Sequence, residues 1–273
     1  EKIMSRAYGW NAQLLLAEET EYGEMPTNNY RKIPFISTTL DSEQNLVSSN
    51  VLGLGRDPTQ PFQDVINVDG DMVVPVDMRN IGVWLKAIFG IPNTEEVDDD
   101  VYTHSFVSGK IVIPSYTLEV GLPEVPQFIR FMGVRANSIA FNFQRSGEAQ
   151  VTLNLIGQGE SGETTAIDTD PEVYKYTRVS QFQGYIKSDG ALLANITAAS
   201  ATYSNNLEKI ETIRNDGKVE AIDVGVASLS GSISARYGDN ILLDKARGGT
   251  PVDIELGYQL SDCLLYTSDA ADE

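Results

Sequence analysis

Asn67–Gly90 reads NVDGDMVVPVDMRNIGVWLKAIFG, and its two halves follow different periods. In the first, Val68, Gly70, Met72, Val74 and Val76 alternate with Asp69, Asp71, Val73 and Pro75. A period of two puts each set on one face of a β-strand. In the second, Ile81, Trp84, Leu85, Ile88 and Phe89 fall at i, i+3, i+4, i+7 and i+8, which is one face of an α-helix. Asp77 is a good N-cap and Gly90 a good C′ residue, so the pattern predicts a helix over 78–89. An apolar stripe at this spacing belongs to a core, not to a cofactor site.

The same order recurs near the other end. Ser228–Gly249 reads SLSGSISARYGDNILLDKARGG, where Leu229, Gly231, Ile233 and Ala235 alternate with Ser228, Ser230, Ser232 and Ser234. A helix is expected over 240–247, capped by Asp239, with Leu242, Leu243 and Ala246 inward and a stop at Gly248-Gly249. Alternation also marks Lys110–Ile113, Tyr116–Val120, Ser138–Phe143, Gln150–Ile156, Phe182–Lys187, Ile196–Tyr203 and Val252–Leu260. The chain is therefore expected to be mainly β. Strand, capped helix, glycine stop and strand occurring twice points to a duplicated β domain. Its expected parts are residues 1–160 and 172–262, joined by a linker over 161–171 in the Gly-, Thr- and acid-rich stretch GQGESGETTAIDTDP. The alternative is one large sandwich with a chance similarity.

Composition narrows function. The 273 residues carry 20 Lys and Arg against 39 Asp and Glu, a net charge of −19. Such a surface repels nucleic-acid backbones, which argues against ordinary DNA binding. Cys263 and His104 are the single cysteine and histidine, so the chain can build neither an internal disulfide nor a Cys/His zinc cluster. No apolar run reaches the roughly 18 residues of a membrane-spanning helix. The N-terminus shows no basic region followed by an apolar core. The chain starts at Glu1, which points to a fragment or an over-extended reading frame with Met4 as the start.

Catalytic constellations are not expected. Gly157, Gly159 and Gly162 have the G-x-G-x-x-G spacing, but polar, turn-like Glu163–Pro171 stands where the phosphate-holding helix should begin. His104 lies in an alternating strand, Tyr102–Phe106, and no G-x-S-x-G elbow occurs. Asp98-Asp99-Asp100 are consecutive and lack the alternating spacing of a calcium loop; Asn67, Asp69 and Asp71 have it, but Met78 stands where the closing glutamate belongs. Asn195-Ile196-Thr197 is a glycosylation sequon without a secretion signal. No catalytic, metal or cofactor residue is assigned, and an enzyme is not expected.

The order of several motifs goes further. Arg6-Ala7-Tyr8-Gly9-Trp10-Asn11-Ala12 opens the chain and leads into Leu14-Leu15-Leu16. Leu52-Gly53-Leu54-Gly55-Arg56-Asp57-Pro58 and Asp64–Asp71 follow, then Val134-Arg135-Ala136-Asn137 and Gln144-Arg145-Ser146-Gly147. Thr202–Glu208 and Ile213-Arg214-Asn215-Asp216-Gly217 complete the series. Across residues 5–262 this order resembles the tail tube protein family of long-tailed bacteriophages and related prophages. The resemblance implies β sheets packed as a sandwich or open barrel with flanking helices. It implies a virion protein, assembled in the host cytoplasm, whose rings stack into a channel for double-stranded DNA. The implied partners are copies of itself in a hexameric or trimeric pseudo-hexameric ring, a tape measure protein and a tail terminator, with no cofactor and no membrane. An acidic lining is expected to keep DNA free to slide, because repulsion acts over a Debye length of about 8 Å at physiological salt. Candidate stacking elements are the arm Ser5–Tyr22 and the aperiodic segment Asp41–Gln63, with Tyr8, Trp10, Arg56 and Asp57 as candidate inter-subunit residues. The rival readings are another virion component, such as a tail terminator or adhesion module, and a hydrolase built on a carboxylate pair.

The last eleven residues, Cys263–Glu273, read CLLYTSDAADE and resemble a one-frame translation of a transposase adapter used in sequencing libraries. A non-native tail over 263–273 is expected, with the second domain cut short near Asp262. Asp269, Asp272 and Glu273 lie in it, so its loss brings the net charge from −19 to −16. The parent DNA read should carry adapter sequence at this point; a clean contig running through it refutes the reading.

Overall fold

The computed structural model describes residues 6–49, 51, 56–57, 59–238 and 241–260. In chain order come β1 (Gln13–Glu18), β2 (Arg31–Lys32), β3 (Ser37–Thr38), β4 (Asp41–Val47), β5 (Phe62–Pro75) and helix α1 (Ile81–Phe89). Then follow β6 (Asn93–Asp98), β7 (Val101–Ser105), β8 (Tyr116–Leu122), β9 (Gln127–Phe143), β10 (Gln150–Gly157), β11 (Gly159–Glu163) and β12 (Glu172–Val173). The last third holds β13 (Gly184–Ser188), β14 (Ala191–Leu192), β15 (Ile196–Ser204), β16 (Glu208–Ile210), β17 (Ala221–Asp223), β18 (Ser228–Ala235), α2 (Ile241–Gly248) and β19 (Ile254–Tyr258). The protein is mainly β, in several sheets with two helices and no closed barrel among the described residues.

Strand β9 belongs to both halves of the main sheet. Its first half pairs with β8 (Leu118↔Phe131) and β11 (Gly159↔Met132), and β8 leads on through β1 and β2 to β12. Its second half pairs with β10 (Val151↔Phe141) on one side and β15 (Ala199↔Phe143) on the other. β10 leads to β5, which takes β3 and β4; β15 leads to β18. The inward residues of both halves meet in one core around Leu14, Met72, Trp84, Phe131, Ile139 and Leu153. Helix α1 closes that core with Trp84, Ala87 and Ile88, and full burial of a side chain such as Ile88 contributes roughly 1.5–3 kcal/mol. A three-stranded sheet, β14-β13-β19, covers the end of β9 and β15, where Tyr258 stacks on Phe143 at 4.7 Å.

The change of direction within β9 is held by a buried carboxylate. Gly133 has φ +64, and a Cβ there would lie 2.7 Å from the Cβ of Gln158. Its N–H donates to Glu19 Oε1 at 2.8 Å, the Thr117 hydroxyl donates to the same oxygen at 2.8 Å, and Gly23 N–H donates to Oε2 at 2.9 Å. A second buried carboxylate, Glu119, accepts from Arg130 Nε at 2.7 Å and from Ile167 N–H at 2.9 Å. Arg130 also donates to Thr165 O at 2.6 Å, which fastens the 164–170 loop to the sheet.

Several expectations need correction. Helix α1 starts at Ile81 with Asn80 in the N-cap position, not after an Asp77 cap. Asp77 instead organises the turn before it: Oδ1 accepts from Arg79 N–H and Thr177 N–H, and its main-chain oxygen accepts from Ile81 N–H. Helix α2 runs to Gly248, and Leu243, expected inward, is exposed; Asp239 and the side chains of Leu242 and Ala246 lie outside the described residues. Lys110–Ile113 forms no strand: it has no neighbouring edge to pair with, and Ile111 and Val112 face solvent. Residues 161–163, the expected start of a linker, pair with β9 as part of β11. The aperiodic segment from Asp41 begins as a strand, β4, because both its faces meet water and nothing selects alternating residues. Within the expected arm, Leu14 and Leu15 are fully buried in β1 at the middle of the sheet.

Removing the Glu19 side chain strands the Gly133 amide and the Thr117 hydroxyl in the interior. Glu19→Ala should therefore lower the unfolding free energy by about 2–3 kcal/mol in urea titrations. Tyr30 is fully buried and bonded to Pro26 O, and burial, with Glu119 nearby, pushes its hydroxyl up to about 12 from 10.0. The neutral form is the folded one, so this contribution is complete below pH 10 and is lost as pH rises through 12. Tyr30→Phe should make the alkaline decline in stability shallower.

Candidate assembly surfaces

The register of the five antiparallel strands around β9 builds a wall of small polar side chains. One row runs Ser230, Thr202, Ala140, Thr152, Val73 and Ser37 across β18, β15, β9, β10, β5 and β3. The next runs Ser228, Ser204, Ser138, Asn154 and Asp71, and a third runs Ser232, Ser200 and Asn142. Hydrogen bonds tie the rows: Ser200 to Ser232 at 2.9 Å, Asn137 Nδ2 to Asn154 Oδ1 at 3.0 Å, and Asn154 Nδ2 to Asp71 Oδ1 at 2.8 Å. These three rows contain no lysine or arginine, and their single charge is Asp71. Toward β4 the face turns acidic, with Asp69 beside Asp41 and Glu43 beside Asn67. Lys209 reaches Asp69 at 3.4 Å on that margin.

Two other surfaces project. Strands β4 and β5 form a hairpin whose arms carry exposed Leu46, Phe62 and Val65. Arg56 and Asp57 lie exposed in the connection between these strands. At the other site, Trp10 is 82% exposed and its ring lies 5.8 Å from that of Tyr8. Asn11 Nδ2 donates to Glu124 Oε1 at 2.5 Å, which moors this segment to the β8–β9 turn and holds the Glu124 carboxyl below its usual range. The four residues expected at subunit contacts thus fall in two separate exposed places, an aromatic pair and a charged pair.

A family model described as phage tail tube protein matches residues 9–271. The chain belongs to the phage tail tube protein family. It is a structural family rather than a family of enzymes. The matched region of this tail tube protein continues past Asp262 into the segment expected to be non-native. No curated protein matches the sequence. A solved chain from the extended-state PVC sheath-tube complex, an extracellular contractile injection system studied by cryo-EM, aligns at 11% identity with a TM-score of 0.34. That alignment covers 60% of this tail tube protein and 95% of the other chain.

The residues set aside for chemistry occupy structural places. Gly159 and Gly162 are strand residues of β11, where no helix N-terminus faces a phosphate. His104 is exposed on β7 and bonds Thr94 Oγ1 across the hairpin at 2.8 Å. Among the described residues no group of three His, Cys, Asp or Glu side chains is arranged to hold a metal ion, and no helix is long and apolar enough to cross a membrane. The serine alternation of β18 was visible in the sequence. The rows it joins were not, because they depend on which strands lie beside it.

Two tryptophans separate core from surface. Trp84→Ala should lower the unfolding free energy by about 3–5 kcal/mol, whereas Trp10→Ala should change it by about 0.5 kcal/mol or less, as measured by chemical denaturation.

Proposed function

We propose that this tail tube protein forms rings that stack into the tube, and that the serine, threonine and asparagine wall of β18-β15-β9-β10-β5 lines the channel through which double-stranded DNA passes. The wall is the observation that carries this reading. Holding DNA takes cations that neutralise phosphates, and DNA offers one charge per roughly 1.7 Å of axis. The wall offers none, and its short side chains leave little to catch on. The acids toward β4 add repulsion along one margin. In this reading the β4–β5 arm and the Tyr8–Trp10 pair are contacts between copies, and the tape measure protein and tail terminator meet the tube's interior and end. The two strand-then-helix units, β5 with α1 and β18 with α2, stand two strands out from β9 on opposite sides, which favours an internal duplication.

The purified protein should form rings or tubes by electron microscopy; a monomer under all conditions sinks the proposal. Ser230→Lys with Thr202→Lys places cations on the wall. Tubes of that variant should retain added double-stranded DNA that wild-type tubes release, and equal retention removes the wall from the channel.

A further inference from the structure

Strands β6 and β7 pair only with each other, and every residue of β6 is exposed. Their hairpin carries Glu95, Glu96, Asp98, Asp99 and Asp100. A two-stranded hairpin without a packed face is marginal in water. This one is apolar as well as acidic: Val97 and Tyr102 are exposed on it, and Ile91, Val107, Ile111 and Val112 are exposed around its base. Exposed apolar side chains at both the tip and the base of a charged hairpin give a partner apolar as well as ionic contacts.

The opposite character occurs at the other end of α1. Segment 172–178 carries exposed Val173, Tyr174, Lys175, Tyr176 and Arg178. β12 lays Val173 beside exposed Lys32 in β2, and Met78 N–H donates to Thr177 O, which brings exposed Met78 and Arg79 alongside. Lys32, Arg79, Lys175 and Arg178 make no salt bridge among the described residues. The nearby carboxylates are already engaged. Glu172 bonds Arg31 at 3.2 Å and Tyr174 at 2.6 Å, and Glu148 accepts from Tyr176. In a chain of net charge −19, this is a basic and aromatic strip.

We propose that the β6–β7 hairpin docks on the Lys32–Arg79–Lys175–Arg178 strip of a second copy of this chain. The match is double, acid to base and apolar to apolar, which is how complementary surfaces select a partner. The base of the hairpin and the strip share a cavity beside α1, lined by Pro92, His104 and Phe106 and by Arg31 and Arg79, yet Glu95, Glu96 and Asp98 make no salt bridge to the strip of their own chain among the described residues, which leaves them for another copy. Different patches meeting head to tail generate rings or open filaments. The inference rests on the tube reading and names the contact that such an assembly uses.

A charge swap tests it. One variant carries Glu95→Lys, Glu96→Lys and Asp98→Lys; the other carries Arg79→Glu, Lys175→Glu and Arg178→Glu. Each alone should lose ring or tube yield by about tenfold or more in sedimentation and electron microscopy, since like charges then face each other. Circular dichroism should match wild type, because all six side chains are exposed. Combined in one chain, the six substitutions should recover assembly, because every copy then offers a basic hairpin to an acidic strip. Assembly of either variant alone at wild-type yield overturns the proposal and assigns the hairpin to a different partner. Failure of the six-substitution chain to assemble while wild type does also overturns it. Failure of wild type to assemble is instead the failure of the tube reading, and this contact falls with it.

Discussion

The fold depends on one strand serving both halves of the main sheet. Seventeen residues of β9 would run straight if every position paired equally. The left-handed residue at Gly133 breaks that run, and the Glu19 carboxylate takes the amide hydrogen that the break leaves pointing into the interior. A buried carboxylate without partners costs several kcal/mol, so Glu19 is tolerable only because three donors converge on it. Everything else hangs from this joint. Leu118 and Phe131 pack one half, Ile139 and Leu153 the other, and α1 seals the gap between them.

What could be read in advance follows from how many faces of each strand are buried. The alternation of Val68–Val76 was legible because β5 has one buried and one open face there, and α1 was legible because its stripe has one side to hide. β1 is buried through four consecutive residues, Leu14 to Ala17, so it shows no alternation and resembles an apolar arm. β4 is nearly all solvent-facing and erases its period in the opposite way. In β9 the register shift opposite Asn154 and Leu155 changes which parity faces inward halfway along. The candidate surfaces divide similarly. Tyr8 and Trp10 stand out as large aromatics in a polar segment, but the hydroxyl wall is a property of five strands in register and no single segment contains it.

Charge is distributed with a purpose that the net value hides. The rows across β9 are almost neutral, while acids crowd the β6–β7 turn and the β4 margin. The Arg130–Glu119 pair is withdrawn beneath a loop, where it fixes structure rather than presenting charge. A uniformly acidic protein would keep its copies apart as well as DNA. One with segregated acids and bases can repel a polyanion and still attract its own kind.

The bond between Glu19 and Gly133 spans 114 residues, and that between Thr117 and Glu19 spans 98. On a ribosome, β1 has only the two-residue β2 beside it until β8 has emerged, and its joint has only the Gly23 amide until Thr117 of β8 and Gly133 of β9 follow. At ordinary translation speeds that interval is roughly 5–20 s, during which Leu14, Leu15, Leu16 and Ala17 lie bare. Contacts this distant in sequence also slow the closing step itself. The nascent protein thus spends its earliest seconds with an apolar strand largely uncovered, and the length of that exposure is set by the chain distance from β1 to β8.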